Sequence, residues 1–298
     1  MNSSPLSVPV ARRALMLVNP NARRGREAID PVLDRLRDGG LDVYVERFET
    51  REEVARDIAA RGADFDMVVV CGGDGTINSA AMGVLETGLP MGIIPMGTAN
   101  DLARTLEIPD DPVRAADIIV RGRTRRIDLG QVNGHPFFNV ASIGLAADLA
   151  DRLSPEIKKR WGRLGYALSA LRVVMSARPF SATIIEDSGE RKVRTYQIAV
   201  GNGRHYGGGN VIHSGATIDD GHLDLYSLEM DNVWKLALMM ASFRRGEHGA
   251  WQEVRTAKSR EFDIRTSRPR NVNTDGDIVT QTPAHFLIRP DAVSVFVP

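Results

Sequence analysis

The chain has 298 residues, 43% of them apolar, with 38 basic residues balanced by 38 acidic ones. That length accommodates one large or two medium domains with real cores, and the balanced charge supplies no global field for nucleic acid. The single cysteine, Cys71, excludes an intramolecular disulfide and fits a reducing compartment. No apolar run approaches the ~18 residues of a membrane-spanning helix, and residues 1–13 lack the apolar core of a secretory signal.

The first 120 residues alternate between strand-like apolar runs and helical patterns. Strands are predicted at 14–19, 41–48, 67–71 and 91–95, and helices near 24–37, 52–61, 77–87, 99–106 and 112–120. This alternation predicts an α/β, doubly wound parallel sheet. Ligands bind such sheets at the C-terminal ends of the strands, where the loops 19–24, 72–76 and 95–101 fall. The pattern changes after Arg121. Strands are predicted at 123–132 and 136–142, a long helix at 155–177, and short strands of period two at 182–186, 193–201 and 222–228. Further strands are predicted at 260–264, 285–288 and 292–297. This half is mostly antiparallel and predicts a β-sandwich. The expected domains are therefore 1–130 (α/β, nucleotide-binding) and 131–298 (β-rich, substrate-binding). The boundary falls within 125–135, and the final segment is free to pack back on the first domain.

The most specific motif is Gly72-Gly73-Asp74-Gly75-Thr76, which follows the apolar run 67–71 and precedes the helical Ile77-Asn78-Ser79. Glycines let backbone amides approach an anion, and a helix N-terminus adds its positive dipole end. Asp74 would repel a bare phosphate, so its presence points to a divalent cation between it and the phosphates. No GxxxxGK[ST] pattern occurs, which excludes a P-loop. Standing alone, the motif could equally be a tight strand-to-helix turn. Two further strand ends meet the same edge: Asn19-Pro20-Asn21-Ala22 and Gly97-Thr98-Ala99-Asn100-Asp101. Asn19 is also a turn residue before proline, and Thr98 and Asn100 are also candidate helix caps.

The second half carries Asn202-Gly203 and then Asp219-Asp220-Gly221, which is either an oxygen-rich cation site or an Asp-Gly turn. Asn273-Thr274-Asp275-Gly276-Asp277 is either a pair of proton-accepting carboxylates or a hairpin turn. The six histidines lack metal-ligand spacing, and no serine sits in a nucleophile elbow. From Arg152 to Arg178, seven basic residues stand against one acidic, interleaved with Trp161, Leu164, Tyr166 and Leu168. Such a helix either packs on the sandwich with a solvated basic face or rests on anionic lipid headgroups.

Taken together, Asn19-Pro20, the 72–76 and 97–101 motifs, Asn139-Val140-Ala141-Ser142-Ile143-Gly144, Asn202-Gly203, Asp219-Asp220-Gly221 and Asp275-Gly276-Asp277 resemble the diacylglycerol kinase catalytic-domain family. The closer likeness is to its soluble bacterial lipid kinases, with sphingosine and ceramide kinases as relatives. The motifs span nearly the whole chain in the family's order. The glycine motif alone is shared with NAD kinases and phosphofructokinases; the 97–101 motif and those of the second half favour a lipid acceptor.

The resemblance implies an ATP- and Mg2+-dependent lipid kinase. It would transfer the γ-phosphate to a hydroxyl of diacylglycerol or a related glycerolipid, in phospholipid biosynthesis, from a cytoplasmic position at the inner membrane surface. It implies nucleotide contacts at Asn19, Pro20, Asn21, Ala22, Arg23, Thr50, Gly72, Gly73, Asp74, Gly75, Thr76, Ile77, Asn78 and Thr98. A structural magnesium would sit on the Asp220 side chain and the backbone carbonyls of Thr217 and His222. Asp74 would hold the catalytic magnesium, and Asp277, or else Asp275, would accept the hydroxyl proton. Two positions depart from the family pattern. Asp277 stands where glutamate is usual, about 1.5 Å shorter in reach, and Ser79 replaces a glutamate after the glycine motif. The competing readings are an NAD kinase-like small-molecule kinase and a catalytically weak lipid-binding regulator. The lipid's identity and the oligomeric state, a homodimer included, are left open.

Overall fold

A computed structural model describes residues 12–19, 29–152, 173–203, 205–206, 210–211, 217–230 and 254–298. The first half begins with β1 (Arg12–Val18), α1 (Ile29–Asp38), β2 (Leu41–Arg47), α2 (Arg51–Arg61), β3 (Met67–Gly72), α3 (Asp74–Thr87) and β4 (Met91–Pro95). The short α4 (Asp101–Thr105) and α5 (Pro112–Arg121) follow. β3 and β4 are buried at every residue, as expected for parallel strands covered on both faces. α5 has Asp111 at its N-cap, whose carboxylate accepts the Arg114 N–H at 2.9 Å, proline at its first position, and Gly122 in the left-handed conformation at its C-cap.

The second half contains β5 (Thr124–Val132), β6 (His135–Phe137), β7 (Val140–Gly144), α6 (Leu145–Arg152), β8 (Phe180–Glu186), β9 (Gly189–Thr195) and β10 (Gln197–Gly201). These are followed by β11 (His205–Tyr206), β12 (Asn210–Val211), β13 (Leu223–Leu228), β14 (Val254–Ser259), β15 (Glu261–Thr266), β16 (Asn271–Thr274), β17 (Asp277–Gln281) and β18 (Ala284–Phe296).

One large sheet runs β2-β1-β3-β4-β18-β15-β8-β9, with β5 and β6 also joined through β18. Its β2-β1-β3-β4 portion is parallel, the doubly wound arrangement predicted. A second sheet, β14-β13-β10-β7-β16-β17, is antiparallel throughout. Side chains of β8, β15 and β18 pack against those of β7, β10 and β13, as in Phe180, Phe262 and Phe286 against Ile143, Ile198 and Leu225. This is a sandwich core.

Besides elements the sequence pattern did not mark (α6, β14, β16 and β17 among them), three predicted runs divide or join differently. The strands expected at 285–288 and 292–297 are one strand, β18, which bends at a register shift between Arg289 and Val293. Its far end pairs in parallel with β4 (Val295 with Met91), so the first sheet continues into the sandwich instead of ending at β4. The run 193–201 is two strands, β9 and β10, on different sheets, with Tyr196 between them. The run 136–142 likewise divides into β6 and β7. An apolar run carries no mark of such a sheet change. The predicted helix 155–177, with most of its basic residues, lies largely outside the described residues.

Candidate functional site

The C-terminal edge of the parallel sheet is crowded by backbone. Met96 N–H donates to the Gly72 carbonyl (2.9 Å) and Asn19 N–H to the Cys71 carbonyl (3.1 Å). Gly73 and Gly97 meet face to face: a Cβ on Gly97 would lie 2.6 Å from the Gly73 Cα, and one on Gly73 would lie 3.1 Å from the Gly97 Cα. The predicted loop is shorter than its motif, because α3 begins at Asp74 and Gly73 is its N-cap. The first-turn amides of α3 therefore face the crevice with no side chain above Gly73.

The predicted contacts divide accordingly. Asn19 Nδ2 donates to the Thr76 hydroxyl at 3.0 Å, joining β1 to the first turn of α3. Ile77 is buried in the core, which leaves only its backbone to a ligand. Asn78 Nδ2 donates to the Pro136 carbonyl at 3.3 Å, while its Oδ1 is buried with no partner among the described residues. Thr98 is exposed at the rim. Thr50 precedes α2, where the Glu53 carboxylate accepts the Thr50 N–H (3.3 Å) and the Glu49 N–H (2.8 Å); these bonds hold Glu53 below the usual carboxylate range. Pro20, Asn21, Ala22 and Arg23 lie outside the described residues.

A cavity of about 310 Å³ opens between the two halves, lined by Asp74, Asp101, Asn139, Gln197, Asn273 and Asp275 among others. Burial raises the affinity of Asp74 for a proton, and the Asp101 charge adds to that rise; the Leu102 N–H, donating at 3.3 Å, opposes it. Asp275 is held by the N–H groups of Phe138 (2.8 Å), Asn139 (3.2 Å) and Val140 (3.0 Å). Burial nevertheless pushes its carboxyl up to about 7, and Asp74 contributes to the rise. Asn139 Oδ1 and Asn273 Nδ2 are buried without partners among the described residues. Crowded carboxylates held against their preference for water, with the orphaned Asn139 Oδ1 beside them, are an oxygen set that fits a hydrated divalent cation. Asp74 and Asp101 are the residues that would hold it.

Asp277 lies on the other side of the Asp275-Gly276-Asp277 turn, in which Asp275 and Gly276 both have positive φ (46° and 108°). Asp277 is half-exposed and lines a second cavity of about 480 Å³ together with Arg51, Gly75, Asn78 and His135. Its carboxylate pairs with the Arg51 guanidinium. The chain thus brings Asp275 to Asp74 in one cavity and Asp277 to the glycine motif in the other.

The predicted magnesium turn is separate from both cavities. Asp220 Oδ1 accepts the His222 N–H (3.0 Å), and Oδ2 accepts the Lys258 ammonium (2.8 Å). Thr217 is exposed. Among the described residues no three His, Cys, Asp or Glu side chains converge as a metal cage. The one carboxylate in the set is balanced by Lys258, whose own proton affinity rises through that bond. In this structure the Lys258 ammonium occupies one of the two Asp220 oxygens.

Three residues outside the predicted set matter. Asp101 opens α4 inside the 97–101 motif, and an acidic residue at a helix start could have flagged it. Arg51 carries no signal in sequence, since an arginine at a helix start looks like a solvated cation. Asp128 is buried on β5, where it accepts the Gly221 N–H (2.6 Å) and the Asp291 N–H (2.8 Å). It ties the Gly221 turn and the bulge of β18 to β5 and reads in sequence as a polar position on a strand.

Residues 13–132 match the family described as diacylglycerol kinase catalytic domain, and residues 139–297 match the YegS C-terminal NAD kinase beta sandwich-like domain. A diacylglycerol kinase of Mycobacterium tuberculosis is 34% identical over 95% of this chain and 94% of its own length. The chain belongs to the diacylglycerol kinase catalytic-domain family. With that family it is a phosphotransferase that uses an alcohol group as acceptor. A diacylglycerol kinase of Bacillus subtilis is 29% identical over 93% of both chains. A crystal structure of a diacylglycerol kinase from Bacillus anthracis shares the fold, with a TM-score of 0.82, 23% identity and 98% coverage of each chain. No helix among the described residues is long and apolar enough to cross a membrane.

Proposed function

We propose that this family member is an ATP-dependent lipid kinase that phosphorylates a hydroxyl of diacylglycerol or a related glycerolipid at the cytoplasmic membrane surface. The observation that carries the reading is that Asp74, Asp101 and Asp275 line one cavity of about 310 Å³ beside the N-terminus of α3. The division of labour follows the domains: the α/β half, up to about residue 130, takes the nucleotide, and the β-rich half takes the lipid.

The backbone amides of Gly73, Asp74 and Gly75 bind the nucleotide phosphates, the two glycines carrying no side chain of their own. A magnesium ion held at Asp74, with Asp101 beside it, would neutralise charge on the transferring phosphoryl group. Gly73 and Gly97 close the crevice behind the phosphates. Both oxygens of Asp275 already accept backbone N–H bonds, so its task is to fix the turn. Asp277, half open to solvent, accepts the proton of the acceptor hydroxyl.

The NAD kinase-like description of the second domain's family supports one competing acceptor. A single experiment separates the two: incubation with labelled ATP, magnesium, fractionated lipids and NAD, followed by mass spectrometry of the labelled product. The reading expects label in a glycerolipid. Label in NAD alone, or in neither, contradicts it.

A further inference from the structure

The Arg51 guanidinium is placed by three elements at once. It extends from the first residue of α2 and pairs with Asp277 at the start of β17. It also lies directly over Gly75: a Cβ there would come within 2.7 Å of the Arg51 Cζ. Gly75 belongs to the first turn of α3, so the half-exposed guanidinium stands at the mouth of the phosphate cradle. Glu52 and His135 line the same 480 Å³ cavity, which makes Arg51 and Asp277 its charge pair next to the glycine motif.

We propose that Arg51 is a phosphate-binding and positioning residue that alternates between Asp277 and the nucleotide. The proposal rests on the kinase reading above. Before nucleotide binds, Arg51 neutralises and orients Asp277. When a triphosphate lies against Gly73, Asp74 and Gly75, its terminal phosphate carries more negative charge than one carboxylate. A planar guanidinium with five donors can engage it by two parallel bonds. The Asp277 carboxylate is then released toward the acceptor. The hydroxyl oxygen forms a bond to the γ-phosphorus while the bond from that phosphorus to the β-bridging oxygen breaks. ADP leaves with that electron pair, and the hydroxyl proton passes to Asp277. Coupling the release of the base to the arrival of phosphate keeps the carboxylate paired when no phosphoryl donor is present.

The test compares the full chain with Arg51→Met and Arg51→Lys. Calorimetric binding of magnesium-bound, non-hydrolysable ATP analogue and of AMP is measured beside kcat and KM. Arg51→Met is expected to weaken the triphosphate analogue about tenfold and leave AMP binding within twofold. It is expected to lower kcat about a hundredfold, with Arg51→Lys recovering part of the triphosphate affinity but little of kcat. Equal losses for AMP and the triphosphate would mean that Arg51 only supports the fold of α2, and unchanged triphosphate binding would mean that it never meets phosphate. Either result overturns the proposal. The binding arm uses no lipid, so it stands apart from the kinase reading, whose failure would show as absence of labelled lipid with the unaltered chain.

Discussion

Gly73 and Gly97 touch through their backbones, so that Gly97 tolerates no Cβ where it stands and Gly73 takes one only if Gly97 gives way: a methyl on Gly97 would meet the Gly73 Cα at 2.6 Å and the Asn100 Oδ1 at 2.7 Å. Neither glycine has a positive φ. The requirement is space, not conformation. This contact brings the end of β4 against the end of β3 and sets the depth of the cradle at α3.

Gly97→Ala is therefore expected to part the two loops or expel Asn100 from its bond to the Gly97 N–H (2.9 Å). The cost should be about 1–3 kcal/mol, as for overpacking elsewhere. Chemical denaturation of both chains measures it. Nucleotide affinity should fall as well, because the first-turn amides of α3 shift with Gly73. Gly88→Ala, at a C-cap with φ 69° and nothing within 4 Å of its would-be Cβ, is the control for backbone strain without a clash, away from the site.

Asp275 should give the fold a measurable pH dependence. Its folded carboxyl titrates near 7 because burial disfavours the charge, against 3.8 for an ordinary aspartate. The folded state thus binds the proton more tightly than the unfolded chain. Its contribution is fully present below about pH 4 and is lost as pH rises to about 7. The loss is on the order of 4 kcal/mol. Urea titrations from pH 4.5 to 8 should show stability falling through this window, and Asp275→Asn should flatten the slope. A slope of the opposite sign would show that the three backbone N–H donors outweigh burial.

The turn at Asp220 is held by Lys258 and should be indifferent to chelation. The melting temperature of the unaltered chain is expected to move by less than a degree or so with EDTA or with millimolar magnesium. Lys258→Met leaves Asp220 without its ammonium and should make the fold magnesium-responsive, since a cation that binds only the folded state stabilises it. A large loss of stability on chelating the unaltered chain would restore the structural-metal reading of Thr217, Asp220 and His222.

Much of this was legible in sequence where local patterns carry the information. The parallel strands β1 to β4 announce themselves as short apolar runs, and the glycine motifs mark the strand ends that meet at the crevice. What was not legible depends on long-range pairing. β18 reads as two strands because Arg289, Pro290 and Asp291 interrupt its apolar pattern at a bulge. Asp275 and Asp277 read as one acidic motif, yet the positive φ of Asp275 and Gly276 sends their carboxylates to different cavities. Arg51 meets Asp277 across 226 residues of chain, a distance at which neither residue carries a mark of the other. Lys258 likewise stands on β14, remote in sequence from the Asp220 it neutralises.

The central claim is that Asp74, partly buried beside Asp101 and in the same cavity as Asp275, serves phosphoryl transfer and not the fold. Asp74→Asn tests it most directly, with lipid phosphorylation and thermal unfolding measured on the same preparation. The account predicts that turnover falls at least about a thousandfold, while the melting temperature holds or rises because a partly buried carboxylate with a raised proton affinity has been removed. Turnover within a fewfold of the unaltered chain, at preserved stability, would contradict it.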